Sequence, residues 1–231
     1  DDYFLNENVS QALKNSEALF TEINFGNMEE MLLMQKSVQT DIPLKERISE
    51  KKYKKLESLL KEKLNTEIIS LEKLSEAGIA SMIMMKSFSC DNIKMYEIEL
   101  LQKAMSEKKQ LGGLETVKEQ LKIMEDHLNI DACIKMLEEL KSSEDSNRKM
   151  VELYKAQNID ELLQLLNSSS YMNEKAYHEF VVNRNNNWVT KMPELMKNKS
   201  VFFAVGAAHL GSKDGVLDLL RKNGYTVEAL N

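Results

Sequence analysis

The sequence predicts an α/β fold in which a small sheet, formed by the N- and C-terminal βα units, carries a large helical insertion. Three observations predict it. Short β-prone runs stand near both ends, in "EALFTEIN" and "VFFAV". Four of the eight glycines fall in the last 26 residues. The two prolines, Pro43 and Pro193, enclose a long stretch that holds only Gly78, Gly112 and Gly113 as further helix breakers.

Taken in order, "VSQALKNS" reads as a helix, "EALFTEIN" as a strand, and Gly26 closes the pair. Residues 26–200 read as mostly helical. In "ERISEKKYKKLESLLKEKL", Ile48, Leu56, Leu59, Leu60 and Leu64 recur at a 3.6-residue period among lysines and glutamates. "EIELLQKAMSEKK", "VKEQLKIMEDHLNIDACIKMLEELKSS" and "SNRKMVELYKAQNIDELLQLLN" repeat that pattern. A further short strand is expected at "KQLGGLET", where Gly112-Gly113 interrupts the helices. Residues 201–231 read as a βαβ unit: "VFFAV", then the helical "SKDGVLDLLRKN" capped by Gly224, then "GYTVEAL". The whole of 1–231 reads as one domain. Its ends resemble each other, "ALKNSEALFTEIN" against "LLRKNGYTVEALN". A true repeat would place a strand and turn like "VFFAVGAAH" just ahead of residue 1. The chain opens on Asp1-Asp2-Tyr3 and so reads as a processed or trimmed piece.

A chain of 231 residues with 42% hydrophobic and 29% charged residues has the make-up of a globular domain. Its net charge of −6 argues against a broad nucleic-acid surface, which needs a basic face. No stretch reaches the roughly 18 uninterrupted apolar residues of a membrane span, and no signal peptide is evident. Cys90 and Cys133 form neither a disulfide framework nor a CxxC pair. The Lys/Glu faces of the middle helices are either solvated surfaces or a homo-oligomer contact.

Candidate chemistry centres on "VGAAHLG". His209 follows a short strand and a glycine, at the end of the sheet where ligands of open α/β folds bind. Gly206 lets the backbone turn or a ligand approach closely, and the following helix offers N–H groups to an anion. The competing reading is a histidine that bonds a loop carbonyl and packs. Glu22 interrupts an apolar strand, where a charge must be paired, metal-bound or turned to solvent. Glu115 either begins a helix or joins His209 as ligand or general base. In "VVNRNNNWVTKM", Arg184 has the fork to clamp a carboxylate or phosphate. Trp188 reads as core, and Asn185 to Asn187 as polar helix positions. His178-Glu179 fails as HExxH because position 182 is Val182. His127 reads as a surface residue, the Met-rich "SMIMMKSF" as core filling, and Ser168 to Ser170 as a loop.

The segments "GAAHLGSKDGVLDLLRKNGYTVEAL", "RNNNWVTKM", "GGLETVKEQL" and "ALFTEIN" together resemble the TraB/PrgY/GumN family, to which the Tiki-type metalloproteases are related. The resemblance covers nearly the whole chain. It implies a fold like erythromycin esterase and a haem-binding lipoprotein, and a second GxxH motif matching Gly206 and His209. Associated acidic residues match Glu22 and Glu115, and the RNxxW element matches Arg184, Asn185 and Trp188. It further implies a metal-dependent hydrolase acting on a peptide or small molecule. His209 and Glu22 would hold Mn²⁺, Co²⁺ or Zn²⁺, with Glu22, Glu115, Arg184 and His209 as the catalytic set and Arg184, Asn185 and Gly206 facing substrate. The alternative is a peptide- or haem-binding protein without turnover. The family's first GxxH is expected upstream of Asp1, so the resemblance implies an incomplete site here. It also suggests a bacterial protein of the cell envelope or a secreted one.

Overall fold

The computed structural model describes residues 5–88, 93–167 and 173–230, without the side chains of 141–144 and 167. Cys90 and the Ser168 to Ser170 loop lie outside the described residues. The fold is mixed α/β, as expected. Among the described residues, three parallel strands form its sheet: β1 (Ala18–Ile23), β2 (Gln110–Glu115) and β3 (Val201–Ala204), in the order β2-β1-β3. β1 is central, and its burial is nearly continuous, as a parallel strand covered on both faces requires. Only Glu22 breaks that run. The strand expected around Gly112-Gly113 is β2.

Parallel pairing brings the carboxyl ends of all three strands to one edge of the sheet. Thr21 pairs with Gly113 on one side and Ala204 on the other, and Ile23 pairs with Glu115. Glu22, Glu115 and the turn after β3 therefore share that edge. Gly112 lies opposite Phe20, and a Cβ there would fall 2.2 Å from the Phe20 ring. The bare backbone of β2 is thus the bed on which Phe20 lies.

The chain divides into two compact units. The first comprises Asp1–Glu30, Asn92–Thr116 and Met150–Asn231, and holds the sheet. Leu13 of the helix Glu7–Asn15 packs with Leu19, Leu100 and Ala104. Trp188, Val189 and Met192 of the helix Asn183–Met196 pack with Leu114 and Val216. The second unit, Met31–Asp91 and Val117–Lys149, is helical among its described residues. Ser49, Ser75 and Asn129 cap the helices Glu50–Leu64, Glu76–Lys86 and Ile130–Glu138 through their side-chain oxygens. Leu56, Leu60, Ile79, Ile83, Cys133 and Leu137 fill its core. Burial, then the charge of Glu76, pushes the Cys133 thiol up to about 12, as an inert packed cysteine. The methionine run divides: Met82 packs on this core, whereas Met84 and Met85 are exposed.

Three expectations are corrected. Residues 225–230 form no strand, so the C-terminal unit is strand, turn, helix and an irregular tail. Tyr225 and Leu230 are exposed. Gly224 does take the left-handed conformation (φ +86°) that ends the helix. That helix is shorter than expected, Val216–Lys222, and a turn separates it from His209, so its N-terminus does not adjoin the histidine. Gly215 sets its start, its missing Cβ leaving room for the Leu210 and Gly211 carbonyls. Finally, Glu115 ends β2 rather than opening a helix, because its backbone stays paired to β1.

Gly112→Val is expected to destabilise the protein by about 1–3 kcal/mol by forcing Phe20 off β2. Urea unfolding of Gly112→Val, Phe20→Ala and the double variant measures this. The double variant should cost less than the sum of the singles.

Candidate functional site

Four segments build one cluster at the carboxyl edge of the sheet. Glu22 comes from β1, Glu115 from β2, His209 from the turn after β3, and Arg184 with Asn185 from the helix Asn183–Met196. Arg184, Asn185 and Trp188 stand at i, i+1 and i+4, a spacing that turns all three toward one side of a helix. A π-helical stretch, His178–Val182, immediately precedes them.

Arg184 is the hub. Its Nε donates to both oxygens of Glu115 at 3.0 and 3.2 Å. Nη2 donates to Glu115 Oε1 at 2.5 Å and Glu22 Oε2 at 2.6 Å. Nη1 donates to the Phe180 carbonyl at 3.0 Å and lies 3.1 Å from His209 Nε2. All five guanidinium hydrogens are thereby directed at protein acceptors. The guanidinium also lies 4.8 Å from the centre of the Trp188 ring, and Trp188 Nε1 donates to Glu115 Oε2 at 3.1 Å. Burial alone would depress the Arg184 guanidinium, but its bonds to Glu115 and the charge of Glu22 raise it.

The same network assigns the tautomer of His209. Asn185 donates its amide hydrogens to the carbonyls of Asp214 (2.8 Å) and His209 (3.3 Å), so its Oδ1 faces the imidazole. His209 Nδ1, 2.7 Å from that oxygen, must carry the ring hydrogen. Nε2 therefore keeps its lone pair and accepts from Arg184. Burial, then the Arg184 charge, pushes His209 down to about 4, against the opposing pull of Glu22, so the ring is neutral at pH 7. Trp188 packs against it, ring centres 4.5 Å apart.

Glu22 accepts the Gly206 N–H on Oε1 at 2.8 Å. Burial would raise its carboxyl, but Arg184 and that N–H hold it below the ordinary value, and it is ionised. Its side chain is 25% exposed, against 11% for Arg184, 6% for Glu115 and 7% for His209. Solvent thus meets the cluster at Glu22 and the exposed Gly206. His209 Nε2 lies 4.0 Å from Glu22 Oε1. A cleft of about 560 Å³ opens beside Leu210, with Ile159 and Leu217 as apolar lining and Asp160, Lys213 and Arg221 as charged lining.

All six expected site residues, Glu22, Glu115, Arg184, Asn185, Gly206 and His209, meet in this cluster. His178 and His127 do not join it. Sequence reasoning missed the tautomer lock by Asn185 and the two-sided grip on Glu115 by Arg184 and Trp188. The RNxxW spacing was the signal for both. The Phe180 carbonyl and the π-helical stretch left no sequence signal. Among the described residues, no three His, Cys, Asp or Glu side chains converge to hold a metal ion, and no helix is long and apolar enough to cross a membrane.

The model of the TraB/PrgY/gumN family matches residues 1–229. No curated protein and no solved structure matches the chain. The chain belongs to the TraB/PrgY/gumN family.

Two outcomes are expected of the cluster. Glu115→Ala strips the buried guanidinium of its main partner and should cost about 3–5 kcal/mol in chemical unfolding. The unfolded His209 takes up a proton near its ordinary 6.5 and the folded one only near about 4. Stability should therefore fall as the pH drops through that window, by about 3 kcal/mol at pH 4, with Glu22 adding loss below the ordinary carboxylate value. Denaturation between pH 7 and 4 checks this, and His209→Gln should flatten the profile above pH 5.

Proposed function

We propose that this family member is a metal-dependent hydrolase of the peptidase kind, with Glu22 and His209 as its reacting pair. One observation carries the reading. An ionised carboxylate and a neutral imidazole nitrogen with an in-facing lone pair stand 4.0 Å apart at the carboxyl edge of a parallel sheet. That is where open α/β folds bind their ligands.

Two donors of the kind a divalent ion uses stand here, and the histidine of the family's first GxxH, expected upstream of Asp1, would be a third. Carboxylate oxygen and imidazole nitrogen are ordinary ligands of Mn²⁺, Co²⁺ and Zn²⁺. Glu22 and Glu115 against Arg184 leave the cluster one net negative charge, and the most exposed member is a carboxylate, so a cation approaching from solvent is attracted. Glu22 and His209 would hold the ion, which would supply Lewis acidity to a water and to the scissile carbonyl.

The chain's own residues do the positioning. Asn185 holds His209 as the Nδ1–H tautomer, and the Gly206 N–H fixes Glu22 Oε1. Gly206 also keeps the approach open, since a Cβ there would stand 3.3 Å from that oxygen. Glu115, held by Arg184 and Trp188, orients the guanidinium. The cleft beside Leu210, lined by polar, charged and a few apolar side chains, would offer a peptide a place to lie.

A second reading, peptide binding without turnover, is favoured by the complete internal satisfaction of Arg184 and Asn185, which leaves the cluster stable without a ligand.

Metal content after purification in Mn²⁺, Co²⁺ or Zn²⁺, measured beside cleavage of a fluorogenic peptide library, tests the proposal. For the chain extended upstream through the family's first GxxH, the expected result is a retained ion and cleavage, with His209→Ala losing the ion and at least about 100-fold in rate. Failure to take up any of the three ions would overturn the metal-dependent reading. Peptide binding unchanged by chelator would favour the second.

A further inference from the structure

We infer that the cleft beside Leu210 is an anion subsite that takes a carboxylate of the peptide, with Lys213 and Arg221 as its determinants. The inference rests on the peptide reading above, with or without turnover. The cleft, of about 560 Å³, lies between the start of the helix Ile159–Asn167 and residues 210–221. That volume is within the roughly 300–1,000 Å³ of pockets that hold small organic ligands. Leu210 directly follows His209, and Asn185 holds both the His209 and the Asp214 carbonyls, at 3.3 and 2.8 Å. A carboxylate bound here is thereby anchored on the loop that carries the histidine. The wall is firmly held. A Cβ on Gly211 would fall 2.5 Å from Ile159 and 2.8 Å from Leu163, so the loop lies flush on the helix. Ser212 takes the left-handed conformation (φ +68°), and the Gly215 N–H closes the turn on its carbonyl at 3.1 Å. Such a wall exists before a ligand arrives, which lowers the ordering cost of binding.

Charge gives the class of ligand. The lining holds two cations, Lys213 and Arg221, and two acids, Asp160 and Asp218. Asp218 is already engaged by Lys222 at 2.9 Å, and the same ammonium reaches the Lys213 carbonyl at 2.8 Å. With Lys222 counted, three cations face two acids, one net positive charge in a chain whose net charge is −6. Among the described residues, Lys213 meets no carboxylate and Asp160 no cation. Arg221 donates one hydrogen to the Val227 carbonyl at 3.3 Å and keeps the rest of its fork. An arginine and a lysine lining one cleft suit a carboxylate, which the planar fork takes through two parallel bonds. Both cations are exposed, so the ligand reaches them directly from solvent. The carboxylate is either the chain end of the peptide or an acidic side chain.

Three N-acetylated pentapeptide libraries of mixed neutral sequence test the inference: one amidated at its end, one with a free carboxyl end, and one amidated with a single internal glutamate. Each is incubated with the full chain, and the bound fraction is read by mass spectrometry after gel filtration. One or both carboxylate libraries should be retained at least about tenfold better than the neutral amide, as a charge-assisted pair implies. Which of the two is retained names the source of the carboxylate. Lys213→Gln and Arg221→Gln should each reduce that preference without lowering the melting temperature, since both side chains are exposed. Asp160→Asn should raise it by removing the opposing charge, an effect that no structural role of these residues would produce. Equal retention of the three libraries, or a preference that survives both cation substitutions, would overturn the inference and leave the peptide reading standing. If no library is retained, the peptide reading fails and the inference with it.

Discussion

One buried guanidinium organises this centre. Removing Arg184 from water is costly, and the structure meets that cost with two carboxylates, a backbone carbonyl and an imidazole. Those partners come from β1, β2, the turn after β3 and the π-helical stretch just ahead of the helix that carries Arg184. The network therefore ties all three strands to one helix at their carboxyl ends. Trp188 closes it from below, packing on the guanidinium and on His209 while holding Glu115.

The electrostatic state of the site follows from that arrangement. Arg184 keeps Glu22 ionised and, together with burial, keeps His209 neutral. Asn185 then decides which imidazole nitrogen carries the hydrogen. The outcome is an acceptor nitrogen and a carboxylate side by side, with the carboxylate and Gly206 the most exposed of the group.

Much of this was legible in the sequence, for identifiable reasons. "EALFTEIN" and "VFFAV" are β-prone runs bounded by glycines, and both are strands. Glu22 stood out because a charge in a central parallel strand must find a partner, and it found Arg184. The RNxxW spacing placed Arg184, Asn185 and Trp188 on one helix side, though not what each would hold. "GYTVEAL" misled because β-propensity describes a half-buried pleated surface. At 225–230 the exposed chain has none to join. Its likeness to "ALFTEIN" is one of sequence only: the first copy lies between two strands and the second beside none. The division into two compact units was also invisible to periodicity, since amphipathic helices of both units share one 3.6-residue pattern.

The central claim is that His209 is a neutral Nδ1–H imidazole whose Nε2 accepts from Arg184. Long-range ¹H–¹⁵N correlation spectra of the three histidines at pH 7, with His209 assigned by its loss in His209→Gln, test it most directly. The account predicts a protonated Nδ1 and an unprotonated, hydrogen-bonded Nε2 that persist as the pH is lowered to 5. An imidazolium at pH 7, or a hydrogen on Nε2, would contradict it.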